Sequence, residues 1–265
     1  MSFLGEVSKV LYKTKLSSLF LIKKHGFKLR YFPTKVSKRL WVDSFEKKNI
    51  YGVIDKFYFD CLKPGAVVID VGANIGYHTL LSVKIVGSQG YVYSIEAHPR
   101  IYSYLEKNIA LNKCKNISTY NLALGNKKEK AILSDKSRDD LNRVSSDAWV
   151  VVSMDRLDNI AIHHNKIDLL KIDVEGYEKF VMEGSLSILE KTETVFFESW
   201  DKLFKKYDYT LKEIFIILDK FGFTYLVDGE NGYEVIDENF TSDDCVDIVA
   251  TKIPHIFVGH KTSHG

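Results

Sequence analysis

The segment Ala66-Val-Val-Ile-Asp70-Val-Gly72-Ala-Asn74-Ile-Gly76 limits what this chain can fold into more than any other. After the turn signal Lys63-Pro64-Gly65 comes an apolar run of strand length that carries one carboxylate near its end. It passes through a glycine-containing loop into a helical stretch reaching about Val86. The same rhythm returns downstream. Strands are predicted over 91–96, 117–124, 167–173, 194–198, 224–227 and 246–251, with a short strand-like run over 150–154. Helical periodicity covers 177–189 and 211–221, and Pro99 opens a further helix at its first turn, running to about Asn112. Strands alternating with helices imply an α/β domain, a mostly parallel sheet with helices on both faces. Residues 125–150 read as polar and irregular, with Asp135, Arg138, Asp139, Asp140 and Arg143 crowded together.

Ligands of open α/β sheets bind beyond the carboxyl ends of the strands, so residues at those ends are the candidates for chemistry. Glycine at Gly72 and Gly76 lets the backbone turn sharply and approach a ligand. A dinucleotide site would show G-x-G-x-x-G with a pyrophosphate on the helix N-terminus. Here the middle glycine is missing, and Asp70 stands where it would repel a phosphate. A carboxylate suits a ligand bearing an ammonium and a sulfonium, which favours S-adenosylmethionine over NAD. Glu96 ends the second strand, where a carboxylate can accept both hydroxyls of a ribose. Asp70, Gly72, Gly76 and Glu96 are the cofactor candidates, joined by Ala123 near the end of the third strand.

Asp173 and Glu175, in Lys171-Ile-Asp173-Val-Glu175-Gly176, fall at the lip of the same cleft, and Glu198 ends the next buried run. Asp173 is the first candidate to take or orient a proton from an acceptor hydroxyl, Glu175 the second and Glu198 the third. The competing reading is that Asp173 and Glu175 order the loop or cap the following helix. None of the four prolines is paired or placed after this strand, whereas many amino-methylating enzymes carry a Pro-Pro-aromatic motif there; oxygen is therefore the expected acceptor atom. No metal-ligand spacing recurs, and the metal expectation is none, the alternative being a divalent cation on Asp173 or Glu198. His78 is expected to pack against the sheet or face the cofactor, and His163 and His164 to lie on the surface.

The ends of the chain read differently. Residues 1–50 hold 12 Lys/Arg against 3 Asp/Glu, a local +9, on a body that carries −7. Phe3, Val7, Val10, Leu11, Thr14, Ser18 and Leu21 recur at helical spacing among lysines, predicting a basic amphipathic helix. It docks on the main domain or meets a membrane surface or acidic partner. The expected division is a helical extension over 1–50, a catalytic domain over 51–254 and a flexible tail over 255–265. Deleting 1–50 is expected to spare the fold. Cys61, Cys114 and Cys245 are odd in number and far apart, which predicts buried free thiols in a reducing compartment. No apolar stretch reaches the length of a membrane span, and the start shows no cleavage signal, so the chain reads as cytoplasmic. The sequons at Asn116 and Asn239 are then chance matches.

The series Asp70-Val-Gly-Ala-Asn-Ile-Gly76, Glu96-Ala-His98-Pro99, Asn108 with Asn112, Ser153-Met-Asp155-Arg-Leu157 and Asp168-Leu-Leu-Lys-Ile-Asp173-Val-Glu-Gly176 resembles the FkbM family of methyltransferases. Glu178, Gly184 and the strand ending in Glu198 fit the same pattern, which covers roughly residues 60–200. The resemblance implies a class I, Rossmann-like, seven-stranded methyltransferase fold with S-adenosylmethionine at the first two motifs, where Asp70, Gly72, Asn74, Gly76 and Glu96 carry over as cofactor-binding positions. It also implies O-methylation of sugars or polyketide-like metabolites. His98 departs from the pattern and is read as variable. The expected acceptor is thus a small molecule or glycan rather than DNA. Two competing readings are an RNA methyltransferase that uses the basic leader on phosphates, and a non-catalytic module of the same fold.

Overall fold

The computed structural model describes residues 20–32, 34–46, 52–134, 150–229, 232–242 and 244–258. Its centre is an eight-stranded sheet. In chain order the strands and helices that matter here are β1 (Leu21–Lys24), β2 (Phe27–Arg30), α1 (Lys35–Glu46), α2 (Gly52–Cys61), β3 (Val67–Val71), α3 (Tyr77–Val86), β4 (Tyr91–Ile95), α4 (Pro99–Asn112) and β5 (Ile117–Tyr120). There follow β6 (Ala123–Leu124), β7 (Glu129–Leu133), β8 (Val150–Asp155), β9 (Ile167–Ile172), α5 (Glu178–Glu183), α6 (Leu186–Glu190) and β10 (Thr192–Ser199). The chain continues through α7 (Asp201–Phe204), α8 (Leu211–Asp219), β11 (Thr224–Gly229), β12 (Gly232–Ile236) and β13 (Val246–Thr251).

The order across the main sheet is β12-β11-β13-β10-β9-β3-β4-β5. From β10 to β5 every pairing is parallel, while β13 enters antiparallel between β10 and β11. The order turns back on itself beside β3, so the glycine loop after β3 opens at the switch point where such sheets bind ligands. β3 is buried at every position, as a strand covered on both faces must be. One core, around Ile69, Val71, Leu170 and Phe197, lies on one face; the other, around Val68, Leu80, Leu81, Leu169 and Phe196, lies on the opposite face.

Three expectations change. The sheet has eight strands rather than seven, because β12 adds to β11 as an antiparallel edge. The strand expected over 117–124 divides after Tyr120, and β6 leaves for a three-stranded sheet with β8 and β7. The latter strand forms within the segment read as irregular. The helix expected over 177–189 breaks into α5 and α6 at Gly184, whose carbonyl turns to accept the Asp158 N–H at 3.0 Å.

The leader departs furthest from its reading. Residues 1–19, with most of the expected amphipathic helix, lie outside the described residues, as does the Asp135–Arg143 cluster. Leu21, assigned to that helix, sits in β1 of a hairpin whose turn residues His25 and Gly26 both take the positive φ values, 47° and 82°, that a type I′ turn needs. Ile22, Phe27 and Leu29 point inward and join Leu40 and Trp41 of α1 in the second core. Asp55 of α2 ties the hairpin to α3. Its carboxylate is 2.8 Å from His25 Nε2 and 3.1 Å from Lys24 Nζ, and it accepts the Tyr77 hydroxyl at 2.7 Å. Residues 20–46 are therefore a wall of the domain, and their removal would strip one face of the sheet. At the other end Pro254–Ile256 forms a turn and Phe257, 7% exposed, stacks on Phe57. Within the segment expected as a flexible tail, packing thus extends to Phe257. Cys61 and Cys114 are half-buried, and Cys245 is exposed rather than buried. No helix among the described residues is long and apolar enough to cross a membrane.

Leu29 is fully buried. Leu29→Ala should cost about 2–5 kcal/mol in urea unfolding; a variant that unfolds with the wild-type midpoint would show that the hairpin is no part of the core.

Candidate active site

β3 and β9 run side by side with Asp70 opposite Lys171, so both strands deliver charge to the same carboxyl-end edge. The Lys171 side chain is 2% exposed. Its Nζ lies 3.2 Å from Asp70 Oδ1 and 3.4 Å from Asp173 Oδ2, and it donates to the carbonyl of Gly72 at 2.8 Å. Burial alone would lower the pKa of this ammonium; the two carboxylates outweigh burial and hold it above its ordinary value. Asp70 spends its other oxygen on the Thr79 hydroxyl at 2.6 Å. Asp70 is thus fully buried at the end of β3, paired with Lys171 and Thr79.

The loop presses on β9. A Cβ on Gly72, at φ 75°, would stand 1.8 Å from the carbonyl oxygen of Asp173. No side chain fits there, so the close approach served by this glycine is to the neighbouring strand end. Glu96 anchors the far side: it accepts the N–H of Asn74 at 2.9 Å on one oxygen and that of His98 at 2.8 Å on the other. Burial pushes its carboxyl up to about 7, against the lowering effect of those two N–H groups. A carboxylate offers about four acceptor positions, so acceptor capacity for a diol is left after these two bonds.

The turn after β9 is held by a residue whose part in it the sequence did not disclose. Glu178, 1% exposed, accepts the N–H of Val174 at 3.0 Å and that of Gly176 at 3.2 Å. Its carboxyl is pushed up to about 7 by burial. The Tyr209 hydroxyl donates to the Gly176 carbonyl at 2.8 Å. This scaffold holds Glu175 at φ 58°. Glu178 thus orders the turn that carries Asp173 and Glu175.

These elements enclose a cavity of about 320 Å³. Seven of the nine candidate residues line it: Gly72, Asn74, Glu96, Ala123, Asp173, Glu175 and Glu198. Asp70 and Gly76 do not; Gly76, at φ 90°, starts α3 behind the loop. Ile101, Leu122, Ala123, Leu124 and Leu133 make one wall apolar. The opposite end is acidic. Glu198 faces Asp247 directly across the β10–β13 pair, and Asp173 lies with them. Burial raises the carboxyl of Glu198, helped by the Asp173 charge, and burial with the same charge pushes Asp247 up to about 7. Asp247 was missed; its only signal is an acid interrupting the apolar strand 246–250. His78 stacks on Tyr58 with ring centroids 5.2 Å apart and lines the cavity. Burial and then the Lys171 charge lower it to about 4, which leaves it neutral. His98 is buried in the cavity wall. His163 is exposed and His164 half-buried, with Nδ1 2.9 Å from the Tyr93 hydroxyl. Among the described residues no group of three acids, histidines or cysteines is placed to hold a metal.

The donor set fits S-adenosylmethionine. An apolar wall matches a flat purine, a fixed carboxylate with spare acceptor capacity matches a ribose diol, and the excess of acids matches a sulfonium and an ammonium.

Comparison with known proteins identifies the family. The Methyltransferase FkbM domain matches residues 70–225. A protein-L-isoaspartate O-methyltransferase from Methanothrix thermoacetophila is 33% identical over 57 residues, 22% of this chain and 27% of that protein. An arsenite methyltransferase from Halobacterium salinarum is 30% identical over 59 residues, 22% of this chain and 15% of that protein. The chain thus spans about a quarter or less of these curated relatives. A crystal structure of an FkbM methyltransferase from Methylobacillus flagellatus superposes with a TM-score of 0.45 at 13% identity, covering 92% of this chain and 58% of that one.

Glu96→Ala should weaken S-adenosylmethionine binding by on the order of 1–3 kcal/mol, read by calorimetry. Wild-type affinity in that variant would remove Glu96 from the cofactor site.

Proposed function

The chain belongs to the FkbM family of S-adenosylmethionine-dependent methyltransferases, and from that premise and the cavity we propose that it transfers a methyl group to a hydroxyl of a small molecule or glycan. The observation that carries the reading is the pair of unlike ends in one cavity: Glu96 and an apolar wall at one, and Asp173, Glu198 and Asp247 at the other. When bound, the cofactor supplies an electrophilic methyl on a sulfonium. Glu96, Asn74, Gly72 and Ala123 would hold it.

The acidic end suits an acceptor that must lose a proton. A carboxylate whose proton affinity is raised toward working pH is a better general base than an ordinary one. Glu198 meets that condition through burial and the nearby Asp173 charge. Asp173 neighbours the Lys171 ammonium and is 41% exposed at its side chain, which suits it to orient a hydroxyl. Glu198 therefore moves ahead of Asp173 as proton acceptor, and Glu175 falls from second to third. Holding oxygen and methyl in line supplies much of the acceleration in such displacements, with general-base help adding about 10²–10⁴-fold.

Glu198→Gln keeps shape and loses basicity. In a tritiated-methyl assay over a glycan and metabolite panel, it should lower turnover by about 100-fold or more while cofactor affinity holds. Near-wild-type turnover in Glu198→Gln, with loss in Asp173→Asn, would return the proton to Asp173. Full activity in both would leave catalysis to positioning. Transfer only to RNA would overturn the proposed acceptor class.

A further inference from the structure

A second chamber of about 370 Å³ opens beside the acidic end and shares Ile54, Phe196 and Asp247 with the first cavity as common wall. Eight of its eleven lining residues are valine, isoleucine or phenylalanine, among them Phe57, Val227, Phe240 and Val249; the others are Asp228, Tyr233 and Asp247. We propose that this chamber receives an apolar portion of the acceptor, so that the substrate is an amphiphile whose reactive hydroxyl lies at the carboxylates and whose alkyl or aromatic part extends toward β11 and β13. The inference rests on the hydroxyl-transfer reading of the first cavity.

Three observations carry it. The first is continuity. Asp247 stands in the shared wall directly across from Glu198, so a molecule reaching the carboxylates borders the apolar space at once. The second is location. β11 runs parallel to β10 and β13 antiparallel to both, which brings Val227, Asp228, Val246 and Asp247 to the same carboxyl-end edge as the loop after β3. The third is provenance. Of the chamber's lining residues, Phe196 alone falls inside the matched segment 70–225; the rest come from α2 and from the chain after β11 begins. A chamber built from outside the segment that carries the cofactor motifs belongs to the acceptor. Among the described residues its ionisable groups besides the Tyr233 phenol are acids, so the occupant is neutral or cationic. Apolar burial drives entry, since withdrawing methylenes from water is favourable.

Two variants fill the space without touching the first cavity. Val227→Trp and Val246→Phe would be compared with the full-length wild type by titration with N-phenyl-1-naphthylamine, an uncharged probe whose fluorescence rises in apolar surroundings. Calorimetry with S-adenosylhomocysteine reports an intact cofactor site. The expected result is probe binding to wild type that weakens about tenfold or more in a filled variant, with S-adenosylhomocysteine affinity unchanged. No binding by wild type would overturn the proposal. So would undiminished binding in a filled variant that still takes S-adenosylhomocysteine. In the tritiated-methyl assay, octyl β-glucoside should be methylated about tenfold faster than methyl β-glucoside, and Val227→Trp should erase the difference; equal rates on wild type would contradict the chamber. If the probe behaves as expected and no hydroxyl compound accepts methyl, the chamber stands and the hydroxyl-transfer reading falls.

Discussion

The structure depends on one buried ammonium. Lys171 lies at the junction of β3 and β9, within ion-pair distance of Asp70 and Asp173, and donates to the Gly72 carbonyl. Moving charge from water into a protein interior is costly unless the charge is paired and its hydrogen bonds are satisfied. Here the cost is met by two carboxylates and the loop backbone, and the return is geometric. The loop after β3 is clamped to the end of β9 closely enough that Gly72 has no room for a side chain beside the Asp173 carbonyl. The loop after β3 and the carboxylates beyond β9 and β10 thereby share one edge, with Glu96 holding the loop after β3 and Glu178 the turn after β9.

The same economy of placement explains the electrostatics. Glu96, Glu178 and Asp247 are each pushed up to about 7 by burial, yet they serve different ends: a ligand wall, a loop scaffold and the wall between two chambers. A raised carboxyl therefore does not by itself mark a catalytic group. Position relative to the cavity separates them, since Glu178 faces backbone N–H groups and does not line the cavity while Glu96 and Asp247 do. The neutral His78 stacked on Tyr58 adds a rigid aromatic side to the cavity without adding charge.

Much of this was legible in the residues. A continuous apolar strand ending in Asp70 and glycines could only be buried, and its regular repetition required a parallel sheet. Carboxylates at strand ends then had to meet along one edge. What stayed hidden depends on contacts distant in sequence. Nothing local reveals that Asp70 would pair with Lys171, 101 residues later. Lys171 itself was visible as a charge inside an apolar strand, but its partners were not. The helical spacing around Leu21 was overridden by the turn at His25-Gly26, where two adjacent positive φ values fold the chain into a hairpin. That hairpin covers α3 and leaves the domain without a boundary at residue 50. β6 follows β5 with a gap of only two residues, yet pairs with β8 in another sheet, a choice set by tertiary pairing and invisible to propensity.

The most direct test of this account is Lys171→Met, which keeps length and apolar bulk and removes the charge. It leaves Asp70 buried without its cation, a loss of about 3–5 kcal/mol, and it frees the loop that carries the cofactor contacts. Chemical denaturation and S-adenosylmethionine calorimetry on the same sample should show both losses, and Lys171→Met combined with Asp70→Asn should recover part of the stability. A Lys171→Met protein that unfolds at the wild-type midpoint and binds S-adenosylmethionine with wild-type affinity would contradict the account.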